Sequence, residues 1–296
     1  MKDLIFVPFI KISNNSIVTY SLPMTRPRRT DAQEETKKNL TRGVFTGEIS
    51  RKAQREIVKR AENWLMSIQE AKKDGIGKVG KDRKYTTFVT LTLSAKQEHS
   101  DCEIKRELLN TFIIYIKRKF EVKEYIWRAE SQQNGNIHFH LFVDKYIEYR
   151  DLRYTWNTIQ ERLGYISRYE EKHGNRNPNS TDIERIKSVK GASIYVAKYI
   201  TKESKYRKIE GRLWGCSDGL KDVVSFTDIA DSRHWTVINE VKKQPKVKVF
   251  VGEHYSVYIG EIRTIIRTLF PEIEKEIKSH YIDTYKRLYQ AKPSAH

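Results

Sequence analysis

Two imidazoles separated by one residue are the first chemistry this chain offers. Asn136-Ile137-His138-Phe139-His140-Leu141-Phe142-Val143 is an apolar run with histidines two positions apart. A strand turns its side chains to alternate faces, so His138 and His140 share one face while Phe139 enters the layer behind. Such a pair can hold one metal ion from an extended backbone, or it can be a structural pair hydrogen-bonded within a sheet. Eight residues before His138 stands Glu130, on the stretch that leads into Asn134-Gly135-Asn136. A two-residue turn at Asn134-Gly135 would put Glu130 opposite Phe139, away from the histidines. A three-residue loop over Asn134-Gly135-Asn136 puts Gln132 opposite His138 and Glu130 opposite His140, with Asn136 in the left-handed position. A metal site here requires that loop or an equivalent bulge. Two imidazoles and one carboxylate leave positions open for water and substrate oxygens, and for this donor mix Mn²⁺ or Mg²⁺ is the expected ion.

The second feature is Ile194-Tyr195-Val196-Ala197-Lys198-Tyr199-Ile200-Thr201-Lys202. On a helix advancing about 100° per residue, Tyr195, Tyr199, Lys198 and Lys202 fall in one sector, with Val196, Ala197 and Ile200 opposite. Each phenol has a lysine three positions on. A nearby cation favours the phenolate and can also pair with a phosphate. The plainer reading is a surface helix whose tyrosines pack under a neighbouring loop. The charge of the chain tips the balance: 56 Lys+Arg face 38 Asp+Glu, a net +18 over 296 residues, which argues for a polyanionic partner. Metal-ligand geometry plus activated tyrosines on a basic chain implies phosphoryl transfer on DNA, with a phenol oxygen attacking in line to leave a 5′-phosphotyrosine and a free 3′-hydroxyl.

The elements that must position these groups follow from periodicity. Leu4 to Ile12 and Ile17 to Leu22 read as paired strands, Pro23 to Thr30 as a connector, and Ser50 to Asp74 as an amphipathic helix with Ile57, Ala61, Trp64, Leu65 and Ile68 inward. Gly75 to Lys81 looks like a phosphate-binding loop, but Asp82 stands where a hydroxyl residue belongs and the loop leads into a strand. A basic linker is the better reading. Thr86 to Ser94 is an alternating strand, Asp101 to Phe120 a helix, Tyr125 to Gln132 and Ile137 to Val143 strands. Asp151 to Leu163 is a helix, Asp182 to Val189 a strand and Ala192 to Glu203 a helix. That order is α+β: an antiparallel sheet with helices mainly on one face. Lys246 to Tyr258 alternates like a strand, and Gly260 to Tyr289 is helical with a break at Pro271. The expected division is an N-terminal extension (1–80), a core (81–205) and a C-terminal extension (206–296).

The ordered set Phe88-Val89-Thr90-Leu91-Thr92, Glu130 with His138-Phe139-His140, and Tyr195 through Lys202 resembles the three motifs of HUH endonucleases. More closely, it resembles the rolling-circle replication initiators of small single-stranded DNA phages (microviruses) and related bacterial plasmids. The resemblance covers roughly Tyr85 to Lys205. It implies a ferredoxin-like (RRM-like) sheet, His138, His140 and Glu130 as metal ligands, Tyr195 and Tyr199 as nucleophile candidates, and Lys198 and Lys202 as supporting cations. Thr90, Thr92 and Gln132 are the candidates for DNA contact. The two-tyrosine type uses both phenols in turn and single-tyrosine relatives keep one. Both tyrosines fit Tyr-x-x-Lys here, with a lean to Tyr199. The implied activity is metal-dependent nicking and rejoining of single-stranded DNA at an origin hairpin. A host helicase and polymerase would supply unwinding and synthesis, since the chain lacks a Walker-type ATPase motif.

Other classes fit less well. A relaxase or transposase would share the chemistry, and a non-catalytic nucleic-acid-binding module would share the charge. A cupin-type metalloenzyme also begins from His-x-His and Glu but normally needs a further histidine on a barrel strand. Cys102 and Cys216 are too few for a disulfide framework. No apolar run nears the roughly 18 residues of a membrane span and no signal-peptide pattern opens the chain, so the expected setting is the cytoplasm of a bacterial host, with a phage or plasmid as the source. His99, His173, His234, His254, His280 and His296 lack ligand spacing and read as surface or packing residues. Trp127, Trp156, Trp214 and Trp235 read as core.

Overall fold

The computed structural model describes residues 5–24, 47–76, 86–185 and 206–290. The chain divides into two compact units, one formed by residues 1–44 and 224–283, the other by 45–223 and 284–296. This differs from three consecutive segments, and strand pairing is the reason. The N-terminal strands β1 (Phe6–Ile12) and β2 (Ser16–Pro23) find their partners in the last third of the sequence.

The larger unit begins with α1 (Arg51–Lys73), whose N-terminus is capped by the Ser50 side chain accepting from the Ala53 amide. Then come β3 (Thr87–Thr92), α2 (Asp101–Ile104), a π turn at Lys105–Leu109 and α3 (Asn110–Lys119). The one helix expected over Asp101 to Phe120 is thus interrupted by a wider turn. Next are β4 (Tyr125–Ser131), β5 (Ile137–Val143), α4 (Tyr149–Gln160), α5 (Tyr165–His173), β6 (Thr181–Arg185) and β7 (Trp214–Cys216). The strands form an antiparallel sheet in the order β6-β3-β5-β4-β7, with β5 at its centre.

Alternation along β3 and β5 sets the two faces. Val89, Leu91, Phe139 and Leu141 are buried on one side. There Phe139 and Phe112 both meet the Trp156 ring edge-on, and Trp156 Nε1 donates to the Thr92 carbonyl at 2.8 Å. The opposite face carries His138, His140 and Phe142. Trp64 of α1 covers Phe142 with ring centroids 4.9 Å apart, and its Nε1 donates to the Tyr289 hydroxyl at 2.8 Å. The fold is α+β with antiparallel sheets, in keeping with the RRM-like expectation.

The smaller unit holds a second antiparallel sheet in the order β8-β1-β2-β10-β9. It adds β8 (Phe226–Ile229), α6 (Ser232–Lys242), β9 (Lys248–Val251), β10 (Tyr255–Ile259), α7 (Ile262–Leu269) and α8 (Pro271–Tyr289), whose residues from 284 on belong to the larger unit. The strand-like run 246–258 is a hairpin, and the helical run breaks before Pro271 as its missing N–H requires. Ile10, Ile12, Ile17, Val237, Ile238, Ile266 and Ile277 are buried in this unit. Trp127 and Trp156 are core as expected, whereas Trp235 is 41% exposed because it lies on the outer side of the short helix α6.

Candidate metal centre on the central strand

The β4–β5 hairpin decides which groups meet. Its register pairs Glu130 with His138, Arg128 with His140 and Ala129 with Phe139. The Gln132 amide closes the hairpin on the Asn136 carbonyl at 2.9 Å, so the loop is Gln133-Asn134-Gly135. It has the expected three residues but sits one position earlier. Gly135, not Asn136, takes the left-handed position, at φ 83°. Glu130 therefore opposes His138 instead of His140, and Gln132 opposes Asn136 instead of His138. The shift moves each pairing by two residues, so the shared face survives.

On that face one carboxylate oxygen sits between two rings. Glu130 Oε1 is 2.7 Å from His138 Nε2 and 2.8 Å from His140 Nε2. The rings are 4.5 Å apart between centroids and inclined at 77°. His140 also stacks on Phe88 and contacts Thr90 Oγ1 through Nδ1 at 3.1 Å. Glu130 and His140 are buried, and His138 is the more open of the two histidines. Burial pushes the Glu130 carboxyl up, but the hydrogen bonds and positive potential of the two imidazoles outweigh it and hold the group far below the ordinary carboxylate range. Burial pushes His140 down, only partly offset by Glu130, which leaves a neutral ring at pH 7.

A charged carboxylate and neutral imidazoles are the protonation states a divalent ion needs from its ligands. The donor set fits: Glu130, His138 and His140 each bring one ligand atom within 4.8 Å of the others. With the His140 Nδ1 proton directed at Thr90, Nε2 presents its lone pair to the cation, the arrangement that usually orients a metal-bound histidine. His138 Nδ1 and Gln132 Oε1 are buried without a partner among the described residues. Replacing Thr90 by Val keeps the β-branched shape and removes the orienting hydroxyl. It is expected to weaken Mn²⁺ affinity by about tenfold in a calorimetric titration; an unchanged affinity would assign Thr90 to the sheet alone.

Thr92 stands opposite His138 on the same face. Arg128, which the motifs leave out, stands opposite His140 and is buried, with its guanidinium pKa lowered by burial and raised again in part by Glu130. The period of two that places Glu130 with the histidines places Arg128 there as well. Tyr195, Tyr199, Lys198 and Lys202 lie outside the described residues. The segment that contains them joins β6, which pairs with β3, to Arg207, whose amide donates to Ser131 Oγ at 3.2 Å.

Arg207 is also the centre of a network no local pattern reveals. Its guanidinium pairs with both oxygens of buried Asp101, at 2.7 and 2.6 Å, and reaches the Gly135 carbonyl and Gln97 Oε1. Gln97 Oε1 accepts from the Ile137 amide at 2.7 Å, and the Gln97 backbone amide donates to Asn136 Oδ1 at 2.9 Å. The loop before α2 and the segment after residue 205 thus grip the tip of the histidine hairpin. Among the described residues no helix is long and apolar enough to cross a membrane.

No curated protein and no solved structure matches the chain. Residues 86–204, less than half of the sequence, match a family model of replication-associated proteins of the ORF2 type. The part of the chain that carries the Glu130, His138 and His140 cluster is therefore similar to a family of replication-associated proteins.

Proposed function

We propose that the chain is a rolling-circle replication initiation protein: an HUH-type, strand-specific endonuclease and strand transferase acting on single-stranded DNA. The observation that carries this reading is the convergence of two imidazole nitrogens and one carboxylate oxygen on the central strand, inside the span similar to replication-associated proteins. The net charge of +18 supports a DNA substrate.

Glu130, His138 and His140 hold a divalent ion, Mn²⁺ or Mg²⁺. When bound, the ion polarises the scissile phosphodiester and offsets its developing charge. The nucleophile is the phenol oxygen of Tyr199 or Tyr195, with Lys198 and Lys202 favouring its deprotonated form. A new bond joins that oxygen to phosphorus as the bond to O3′ breaks. The 3′ side leaves as a hydroxyl that takes up a proton and can prime synthesis. Because the phosphodiester is exchanged and not hydrolysed, a later 3′-hydroxyl can reverse the step and rejoin DNA. Eight residues separate Tyr199 from Arg207, a length of at most about 29 Å when extended. Ser131, the residue Arg207 holds, follows Glu130 directly.

The test is covalent capture. Incubation with a random-sequence single-stranded DNA library and Mn²⁺ is expected to give an adduct that survives denaturing electrophoresis, with mass mapping placing the nucleotide on Tyr199 or Tyr195. Exchanging both tyrosines for Phe should abolish the adduct while leaving salt-dependent DNA binding intact. An adduct that persists in that double variant would remove these phenols from the mechanism. A chain that binds DNA and never forms an adduct would be the non-catalytic module. A relaxase or transposase would also form the adduct, and the likeness to replication-associated proteins favours initiation over both.

A further inference from the structure

The smaller unit contains a second cluster with metal-ligand chemistry. Asp228 of β8, His234 of α6 and Glu276 of α8 each offer one ligand atom within 4.8 Å of the others. Their separation in sequence hides this: His234 has no histidine, cysteine or glutamate at ligand spacing, and strand pairing plus two helices bring the three together. Asp228 stands opposite Ile10, on an edge strand of the sheet.

His234 is the informative member. It is fully buried, and its Nε2 has no hydrogen-bond partner among the described residues. A buried ring nitrogen without a partner is uncommon and unfavourable. Its Nδ1, by contrast, is well occupied. It lies 2.9 Å from Asp231 Oδ1 and 3.3 Å from the Asp231 amide, at the helix N-cap. The shorter contact is the stronger one, so the proton belongs on Nδ1 and is given to the carboxylate. Nε2 then carries a lone pair aimed away from Asp231. A carboxylate that holds one imidazole nitrogen while the other faces a pair of acidic groups is the usual outer shell of a metal-bound histidine.

The acidic groups are partly engaged but not saturated. Arg233 donates to Glu276 Oε1 at 2.7 Å, which leaves Oε2 for a cation. Asp228 Oδ1 accepts from the Ile229 amide at 2.7 Å, which leaves its second oxygen. We propose that Asp228, His234 and Glu276 form a second divalent-cation site, of the zinc class, that ties β8, α6 and α8 together. One imidazole and two carboxylates with a water in the fourth position suit zinc's tetrahedral preference, whereas Mg²⁺ favours six oxygens. The site stands apart from the nicking chemistry and does not depend on it.

The experiment removes the first site so that the second can be read alone. The full chain carrying His138→Ala and His140→Ala is dialysed against micromolar zinc chloride, and bound zinc is measured by plasma mass spectrometry together with the melting temperature. About one zinc per chain and a zinc-dependent rise in melting temperature are expected. Adding Asp228→Asn and Glu276→Gln should lower bound zinc by at least about tenfold and cancel the rise, with the zinc-free melting temperature reporting that the chain still folds. Asp228→Asn alone, on the edge strand, is the milder variant and should weaken zinc in the same direction. No zinc on the histidine-deleted chain, or equal zinc with and without the Asp228 and Glu276 carboxylates, overturns the proposal.

Discussion

Replacing His138 and His140 together by Ala is expected to lower covalent capture of single-stranded DNA by about a thousandfold, with DNA binding nearly unchanged. Both rings reach the same Glu130 oxygen through Nε2, so the pair acts as one unit and neither ring alone completes the donor set. Losing a Lewis acid that contributes roughly 4 kcal/mol to the transition state corresponds to about three orders of magnitude in rate. Binding is carried by the basic surface and loses little. The same change leaves the Glu130 carboxylate buried without its two partners, at a cost of about 3 kcal/mol in stability. Adding Glu130→Gln to the double variant removes the stranded charge. Stability should return in urea unfolding while capture stays lost. Recovery of capture with stability would show that the histidines merely support the fold.

The second large effect concerns the pair of Asp101 and Arg207, which lie far apart in sequence on either side of the histidine hairpin. Asp101→Asn is expected to destabilise the larger unit by about 2 kcal/mol, because it takes the carboxylate away from a half-buried Arg207 guanidinium. Burial pushes the Asp101 carboxyl up, but Arg207, Gln97 and the Glu210 amide together bring it below its ordinary value of 3.8. A carboxyl with a lowered folded pKa stabilises the fold above its unfolded pKa, and this contribution is lost as pH falls through the folded value. The difference between wild type and Asp101→Asn in urea unfolding should therefore be full at pH 7 and shrink below about pH 3.8. Because Arg207 also grips the Gly135 carbonyl, the variant should loosen the hairpin that carries the histidines and lower amide-exchange protection at its tip. A pH-independent difference would assign the loss to helix α2 alone.

Much of the site is legible in the sequence because it rests on local periodicity. His138 and His140 share a face by the period of two, and Glu130 joins them under any hairpin that keeps the parity. The loop falls one residue earlier than expected because Gly135 and Asn136 both tolerate the left-handed conformation, and Gly does so at less cost. Arg128 follows from the same period but is easily missed, since a buried arginine on a central strand runs against composition. The Asp101–Arg207 pair spans 106 positions and the Asp228, His234 and Glu276 cluster spans three elements, so neither leaves a local trace. The pairing of β1 and β2 with β8 and β10 is likewise non-local, and it is what turns two terminal extensions into one unit.

The most direct measurement is anomalous diffraction at the manganese edge from crystals of the chain grown with Mn²⁺. A single strong peak bonded by His138 Nε2, His140 Nε2 and a Glu130 oxygen is the expected result. A chain saturated with Mn²⁺ that shows no density between those three groups, with Glu130 still hydrogen-bonded to both rings, would contradict it.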